Sequence, residues 1–334
     1  MQKDGLKPWL WLPTTWAHAL SPLALRWLNH FGDGQPLIWN SRTWRDLVFK
    51  NPLGVAGGLD KNGEFLKAWW NLGAGFVEIG TVTPEPQSAN PGKIISRHRP
   101  SEALWNKMGF PSFGADDVHY NLASFKPYRT PVFVNVGKNR DTSLENATND
   151  YLAVMTRLHS LADVFVINIS SPNTAGLRDL QKKDHLINLL TPLVEFCKTV
   201  NNKPLLVKLS PDLSNEELKD AIQASNEAGV SGYVLVNTTL SRPSEIPFPP
   251  EGGMSGKPLG QRSEEVLKET IRLLGPDRAG KLIVSVGGIF SAEDALRRLT
   301  LGADLVQAYS ALVYEGLNFF KIVSKDFKGR GARV

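Results

Sequence analysis

Asn168, Ser170, Ser171 and Asn173 fall close together in the segment 164–176, VFVINISSPNTAG, directly after an apolar run. Amides and hydroxyls at that density supply both donors and acceptors, and Pro172 restricts the backbone that carries them. Such a surface suits a substrate with amide edges. The alternative is a Ser-Pro-Asn turn whose side chains satisfy only their own backbone. What surrounds the segment bears on the choice, because loops held by a rigid scaffold often carry function.

The apolar half, 164–169, has the β-branched composition of a parallel strand covered on both faces. The same pattern of strand followed by polar residues recurs at 53–56, 76–79, 132–136, 205–209, 232–236, 282–286 and 305–308. With 164–169 this makes about eight strands, the number a closed parallel barrel requires. Segments with helical periodicity lie between many of them, as at 216–228 and 263–274. Ser214 followed by Glu217 reads as a capping box for the first of these, and Gly229 as its stop.

The uncommon residues gather where strands end. Gly57, Gly58, Asp60 and Lys61 follow the first strand, Thr81 the second, and Asn135 and Lys208 fall in the third and fifth. Asn237 and Thr238 follow the sixth, Gly287 and Gly288 the seventh, Tyr309 and Ser310 the eighth. In a barrel all of these converge on one face. The expected fold is therefore α/β, a (β/α)8 TIM barrel with a small N-terminal helical extension. The extension takes 1–34 and the barrel 35–334.

Composition permits this and narrows the chemistry. A chain of 334 residues with 42% hydrophobic content can bury a full barrel core. The single cysteine, Cys197, rules out an intrachain disulfide framework, fits a reducing compartment and reads as a small core residue. No apolar run approaches the roughly 20 residues of a spanning helix, and no signal peptide is evident, so a cytoplasmic protein is expected. The net charge of +5 is scattered, apart from a C-terminal tail with Lys328, Arg330 and Arg333 that reads as solvated. No nucleic-acid module is present, and none of the six histidines is spaced as a metal ligand pair, so neither nucleic acid nor metal is expected.

Other motifs are excluded by context. Ser171 lacks the Gly-x-Ser-x-Gly elbow of many hydrolases. Gly256 and Lys257 imitate the end of a phosphate loop, but Pro258 stands where Ser or Thr is required. No Gly-x-Gly-x-x-Gly follows a strand. Phosphate binding of another kind is expected at Gly287 and Gly288, with Tyr309 and Ser310 opening the last helix. Glycine as simple turn punctuation is the alternative there.

From about Leu10 to the last helix, the chain resembles the dihydroorotate dehydrogenases, flavoproteins of pyrimidine synthesis, and specifically their class 2, quinone-dependent branch. The likeness rests on NPLGVAGGLDKNGE (51–64), EIGTVTPEPQ (78–87), NKMGF (106–110) and VNVGKN (134–139). NISSPNTAGLRDLQ, LVKLSPD, VNTTLSRP, GGMSGKPL, VSVGGIFS and LVQAYSALVYEG follow in the family's order. The resemblance implies oxidation of dihydroorotate to orotate, with hydride passing from C6 to FMN while a base removes the C5 proton. That base is implied to be Ser171, where class 1 relatives carry cysteine. A serine is a poor base in water, so it is expected to act through a proton relay in a closed site.

The resemblance also distributes the binding roles. Lys61, Asn106, Lys107, Met108, Gly109, Phe110, Asn168, Asn173, Asn237 and Thr238 match substrate positions, with Lys61 pairing the substrate carboxylate. Ala56, Gly57, Gly58, Leu59, Asp60, Thr81, Asn135, Asn168, Lys208, Val236, Gly256, Gly288, Tyr309 and Ser310 match the FMN cradle. Lys208 is implied to stabilise charge arising on the reduced flavin. Two positions depart from the family. Val236 stands where relatives usually have threonine, which removes a hydroxyl contact to the flavin that water or a backbone group is expected to replace, with weaker FMN retention the alternative. Gly57 stands where alanine is common, a change expected to matter little.

The N-terminal stretch 7–31 reads KPWLWLPTTWAHALSPLALRWLNHF, in which Trp16, Ala19, Leu20, Leu23 and Trp27 share one helical face. Tryptophans near basic residues such as Lys7 and Arg26 are typical of helices in a membrane interface. A helix packed on the barrel is the alternative. In the resembled branch such an extension leads ubiquinone or menaquinone to the flavin, and His18 and Arg97 match tunnel positions. Pro22 in mid-helix would cost about 3 kcal/mol, so Ser21 is expected to cap a second helix starting there. A monomer peripheral to the cytoplasmic face of the cell membrane is the expectation. Two other readings stay open: a class 1 type enzyme using fumarate or NAD, and a flavin-free phosphate-binding barrel lyase or isomerase.

Overall fold

The computed structural model describes residues 7–32 and 34–329. Eight parallel strands close into a barrel: Leu53–Asp60, Val77–Val82, Val132–Val136, Val164–Asn168, Leu205–Leu209, Gly232–Leu235, Leu282–Val286 and Leu305–Ala308. They follow one another around the barrel in chain order, and the last pairs with the first. The eight expected strands are all present. The first runs longer than expected, to Asp60, with a register shift after Val55, so Gly57 and Gly58 lie inside it.

The helices form the outer layer and bury aliphatic faces against the strands. The capping box forms as expected: Ser214 Oγ accepts the Glu217 N–H, Glu217 returns the bond to the Ser214 N–H, and Gly229 ends the helix Asn215–Ala228 in a left-handed conformation. Cys197 is buried in the helix Lys183–Thr199.

Strand alternation layers the barrel interior. Residues two apart along a strand face the same way, and the inner apolar layer contains Phe76, Phe133, Leu206 and Leu305. Two residues further along the same strands stand Glu78, Asn135, Lys208 and Gln307, all buried. One end of the barrel is closed by the hairpin Arg42–Trp44 and Leu47–Phe49, whose Phe49 meets Phe76 edge-on with ring centroids 5.8 Å apart. The polar layer therefore faces the other end, where the strands terminate. Over that end lies a three-stranded antiparallel sheet, Ile95–His98, Ala103–Asn106 and Gly253–Gly256.

The N-terminal helix Thr14–Phe31 is continuous through Pro22, contrary to the expected break. Proline denies an N–H to the carbonyl four residues earlier, that of His18. Ser21 Oγ donates to that oxygen at 3.0 Å, so the hydroxyl repairs the helix instead of capping a new one. The helix buries Leu25 and is tied to the barrel by Asn29, which donates to the Glu64 carbonyl at 2.7 Å and accepts the Ala68 N–H at 2.7 Å. Arg330 and Arg333 lie outside the described residues.

Candidate active site

A cavity opens among the strand ends beneath the antiparallel sheet. Ser171 and nearly all the candidate substrate and cofactor residues line it. The exceptions are Lys107, Leu59 and Asp60. Lys107 turns outward toward Glu251, 3.5 Å away. Leu59 packs on the core. Asp60 lies below the cavity, where its carboxylate accepts the N–H groups of Glu64 and Phe65, both at 2.9 Å. It holds the loop that presents Lys61, and burial raises its own pKa to about 6.

Lys61 Nζ donates to the Gly58 carbonyl at 2.9 Å. Burial pushes its ammonium below the usual range, while the Asp60 and Glu64 carboxylates draw it back. A ligand carboxylate placed there adds the attraction that the site lacks. Ser171 is buried on the loop after the fourth strand, and its Oγ accepts the Asn173 N–H at 3.2 Å. An N–H aimed at Oγ favours negative charge on that oxygen. Asn173 Nδ2 donates to Asn106 Oδ1 at 3.0 Å, which links this loop to the overlying sheet.

The other asparagines form one connected group, buried at Asn135 and Asn168 and half-buried at Asn237. Asn168 Nδ2 donates to Thr81 Oγ1 at 2.9 Å, and Asn237 Nδ2 to Ser170 Oγ at 3.0 Å. The short Ser-Pro-Asn segment is thus engaged across the barrel, not only with its own backbone. Lys208, level with Asn168 in the strand register, pairs with Glu78 at 2.8 Å. The sequence reading missed Glu78, Gln307, Ser255 and Phe290 as site residues. Gln307, Ser255 and Phe290 line the cavity. For Glu78 and Gln307 the available signal was a polar residue two positions past an apolar one, in FVEIG and LVQA.

The opposite end of the cavity is built of backbone. Gly287 and Gly288 adopt φ of +112° and +71°, and a Cβ on Gly288 would fall 2.3 Å from Gly260 Cα. Beneath them the buried guanidinium of Arg298 donates to the Gly260 and Gly287 carbonyls at 2.7 and 2.9 Å. Burial lowers the Arg298 pKa to about 10, against the pull of Glu264, which leaves it cationic at neutral pH. Ser310 Oγ lies 2.9 Å from Ser255 Oγ. Val236 adds an apolar residue to the cavity lining. Gly57 is less neutral than anticipated, because a Cβ there would lie 2.4 Å from Glu78 Oε1.

This set fits a flavin nucleotide. Among the described residues Gln307 Oε1 and Asn173 Oδ1 are buried without a partner, which leaves two acceptors for a ligand's donors. Glycine backbone over a buried cation suits a phosphate. His18 and Arg97 lie outside this cavity's lining. Arg97 donates to the Trp9 and Leu12 carbonyls, which fastens the N-terminal segment to the strand Ile95–His98. Burial and the charge of Lys61 lower the His18 pKa to about 4, which keeps its ring neutral.

Residues 41–330 match the sequence profile of the family described as dihydroorotate dehydrogenase. A Deinococcus radiodurans protein named dihydroorotate dehydrogenase (quinone) is 44% identical over 287 residues, 84% of this chain and 76% of its own. The protein of that name from Sulfurimonas denitrificans is 38% identical over 340 residues, covering 97% and 93%. Among solved structures, DHODH from Eimeria tenella in complex with ferulenol superposes with a TM-score of 0.82 at 30% identity, covering 95% of this chain and 91% of that one. The chain is a member of the dihydroorotate dehydrogenase family.

Proposed function

We propose that this protein is a quinone-dependent dihydroorotate dehydrogenase that binds FMN and dihydroorotate together in the strand-end cavity. The observation that carries this reading is the convergence there of Ser171, two lysines and the asparagines 106, 135, 168, 173 and 237. Amides match the donor and acceptor edges of a pyrimidine, and Lys61 matches its carboxylate. Ala56, Gly57, Gly58, Thr81, Asn135, Lys208 and Val236 would hold the flavin ring, and Gly256, Gly288, Tyr309 and Ser310 its phosphate end. Leu59 and Asp60 would act only by supporting them. When bound, FMN supplies a two-electron acceptor between dihydroorotate and the quinone.

The chain's own contribution is positioning and proton transfer. Ser171 Oγ would take the C5 proton of dihydroorotate as its own hydroxyl proton passes on through a relay in the closed site, and the Asn173 N–H that Oγ accepts favours the negative charge this requires. The overlying sheet and the apolar side chains of Met108 and Phe110 exclude water from that exchange.

The helix Thr14–Phe31 would contact the membrane and admit ubiquinone or menaquinone. Trp16, Leu20, Leu23, Trp27 and Phe31 are all exposed along it, and Ala19 lies on the same side. Lys7 and Arg26 are already paired with Glu315 and Glu64, so the apolar stripe carries the contact. No described helix is long and apolar enough to cross a membrane. Peripheral attachment of a monomer at the cytoplasmic face, with His18 and Arg97 beside the quinone path, fits this arrangement. The test is spectroscopic. Purified protein is expected to be yellow, to bleach when dihydroorotate is added without oxygen, and to recover colour with quinone. A colourless protein that binds no FMN would refute the reading.

A further inference from the structure

We infer that Glu78 orients the floor of the active site and sets the electrostatic environment of Lys208. The inference rests on the flavin reading above, and concerns a residue that does not line the cavity. Glu78 is fully buried. Its Oε1 accepts from Lys208 Nζ at 2.8 Å and Asn135 Nδ2 at 2.6 Å, and its Oε2 from Gln307 Nε2 at 2.8 Å. All three partners approach as donors, and the two carboxylate oxygens accept them together.

The direction of every neighbouring amide then follows from chemistry. An ammonium only donates and a carboxylate only accepts, so Asn135 and Gln307 must turn their NH2 groups toward Glu78. Asn135 Oδ1 is thereby turned away, and accepts from Thr81 Oγ1 at 2.6 Å and Asn168 Nδ2 at 3.2 Å. With its NH2 committed, Asn168 presents Oδ1 to Ser170 Oγ at 3.2 Å and Asn237 Nδ2 at 3.3 Å. One carboxylate thus dictates the facing of Asn135 and Asn168 on neighbouring strands and of Asn237 in the loop after a third. Gln307 is placed in the same way: its Oε1 is buried, has no partner among the described residues and belongs to a residue that lines the cavity, which leaves an acceptor for a ligand N–H. The missing side chain of Gly57 leaves the room that the Glu78 carboxylate fills.

Glu78 therefore does two things for a bound flavin. It selects which polar atoms the ring and the pyrimidine meet, and its charge partly cancels that of Lys208. Removing the charge leaves the lysine uncompensated beside a group that gains negative charge on reduction, which favours the reduced form. As a positioning residue, Glu78 is tested by potential and by ligand binding.

The experiment compares wild-type protein with Glu78→Gln and Glu78→Asp, all purified with FMN. The flavin midpoint potential is measured by dye equilibration, and orotate binding by perturbation of the flavin spectrum. Glu78→Gln is expected to raise the potential and weaken orotate binding by about tenfold, the scale of one hydrogen bond misplaced in a buried network. Glu78→Asp keeps the charge but withdraws it by one methylene, and is expected to shift both readouts the same way by less. If Glu78→Gln fails to fold or to retain flavin, the aspartate variant alone decides. Wild-type potential and orotate affinity in the flavin-loaded variants would overturn the inference while leaving the flavin reading intact. A wild-type protein that takes up no flavin would instead refute that reading.

Discussion

Asn173 Nδ2 donates to Asn106 Oδ1 at 3.0 Å, and its backbone N–H donates to Ser171 Oγ at 3.2 Å. One residue thus ties the serine loop to the sheet that roofs the cavity and also orients the serine hydroxyl. Its Oδ1 is buried and has no partner among the described residues.

With Ser171 as the base, Ser171→Ala should slow flavin reduction by dihydroorotate about a hundredfold to ten-thousandfold. Reoxidation by quinone should be unchanged. Stopped-flow measurement of the two half-reactions separates them, and near-wild-type reduction would move the base elsewhere.

Lys61 should make orotate binding depend on pH. Burial lowers its pKa in the free protein, and a bound carboxylate raises it again, so binding takes up a proton wherever free Lys61 is neutral. Affinity should be complete below the free-protein pKa and fall as pH rises through it, earlier than for an ordinary lysine. Lys61→Met should abolish this slope and cost about 2 to 5 kcal/mol of orotate binding. Orotate titrations across alkaline pH check both; a slope retained in the variant would assign the proton to another group.

Arg298 links the glycine turns through carbonyl bonds and through Ser263 and Ser285. Arg298→Met should destabilise the fold by about 3 kcal/mol, because it strands buried carbonyls and part of the Glu264 pairing. It should also weaken FMN more than riboflavin, since only FMN carries the phosphate. Urea melts and flavin-release titrations measure these effects, and equal losses for the two flavins would remove the phosphate role.

Serine at Trp16, Leu23 and Trp27 together should leave the fold intact, since these side chains are 65%, 59% and 61% exposed. Vesicle sedimentation and turnover with long-chain quinone should fall together, while bleaching by dihydroorotate persists. Truncation to a start near Gln35 makes a harsher version, because it also uncovers the barrel surface under Leu25. Unaltered vesicle binding in the triple variant would make the helix a structural cap.

The sequence by itself determined the barrel. Eight β-branched runs, the Ser214 capping box and the residues at the strand ends are short-range signals, and each is legible without its neighbours. The tertiary structure decided which of those residues face one another. Glu78 and Gln307 are 229 positions apart and meet only because the barrel closes, so a local pattern shows two polar residues in apolar strands and no partnership. Lys107 stands between two cavity residues in NKMGF, yet extended backbone sends successive side chains to opposite sides, and it leaves toward Glu251. At Pro22 the local rule foresaw a break, and a hydroxyl one residue earlier met the unpaired carbonyl. Periodicity reports which way a side chain points relative to its own element. What it meets there depends on strands packed from the rest of the chain.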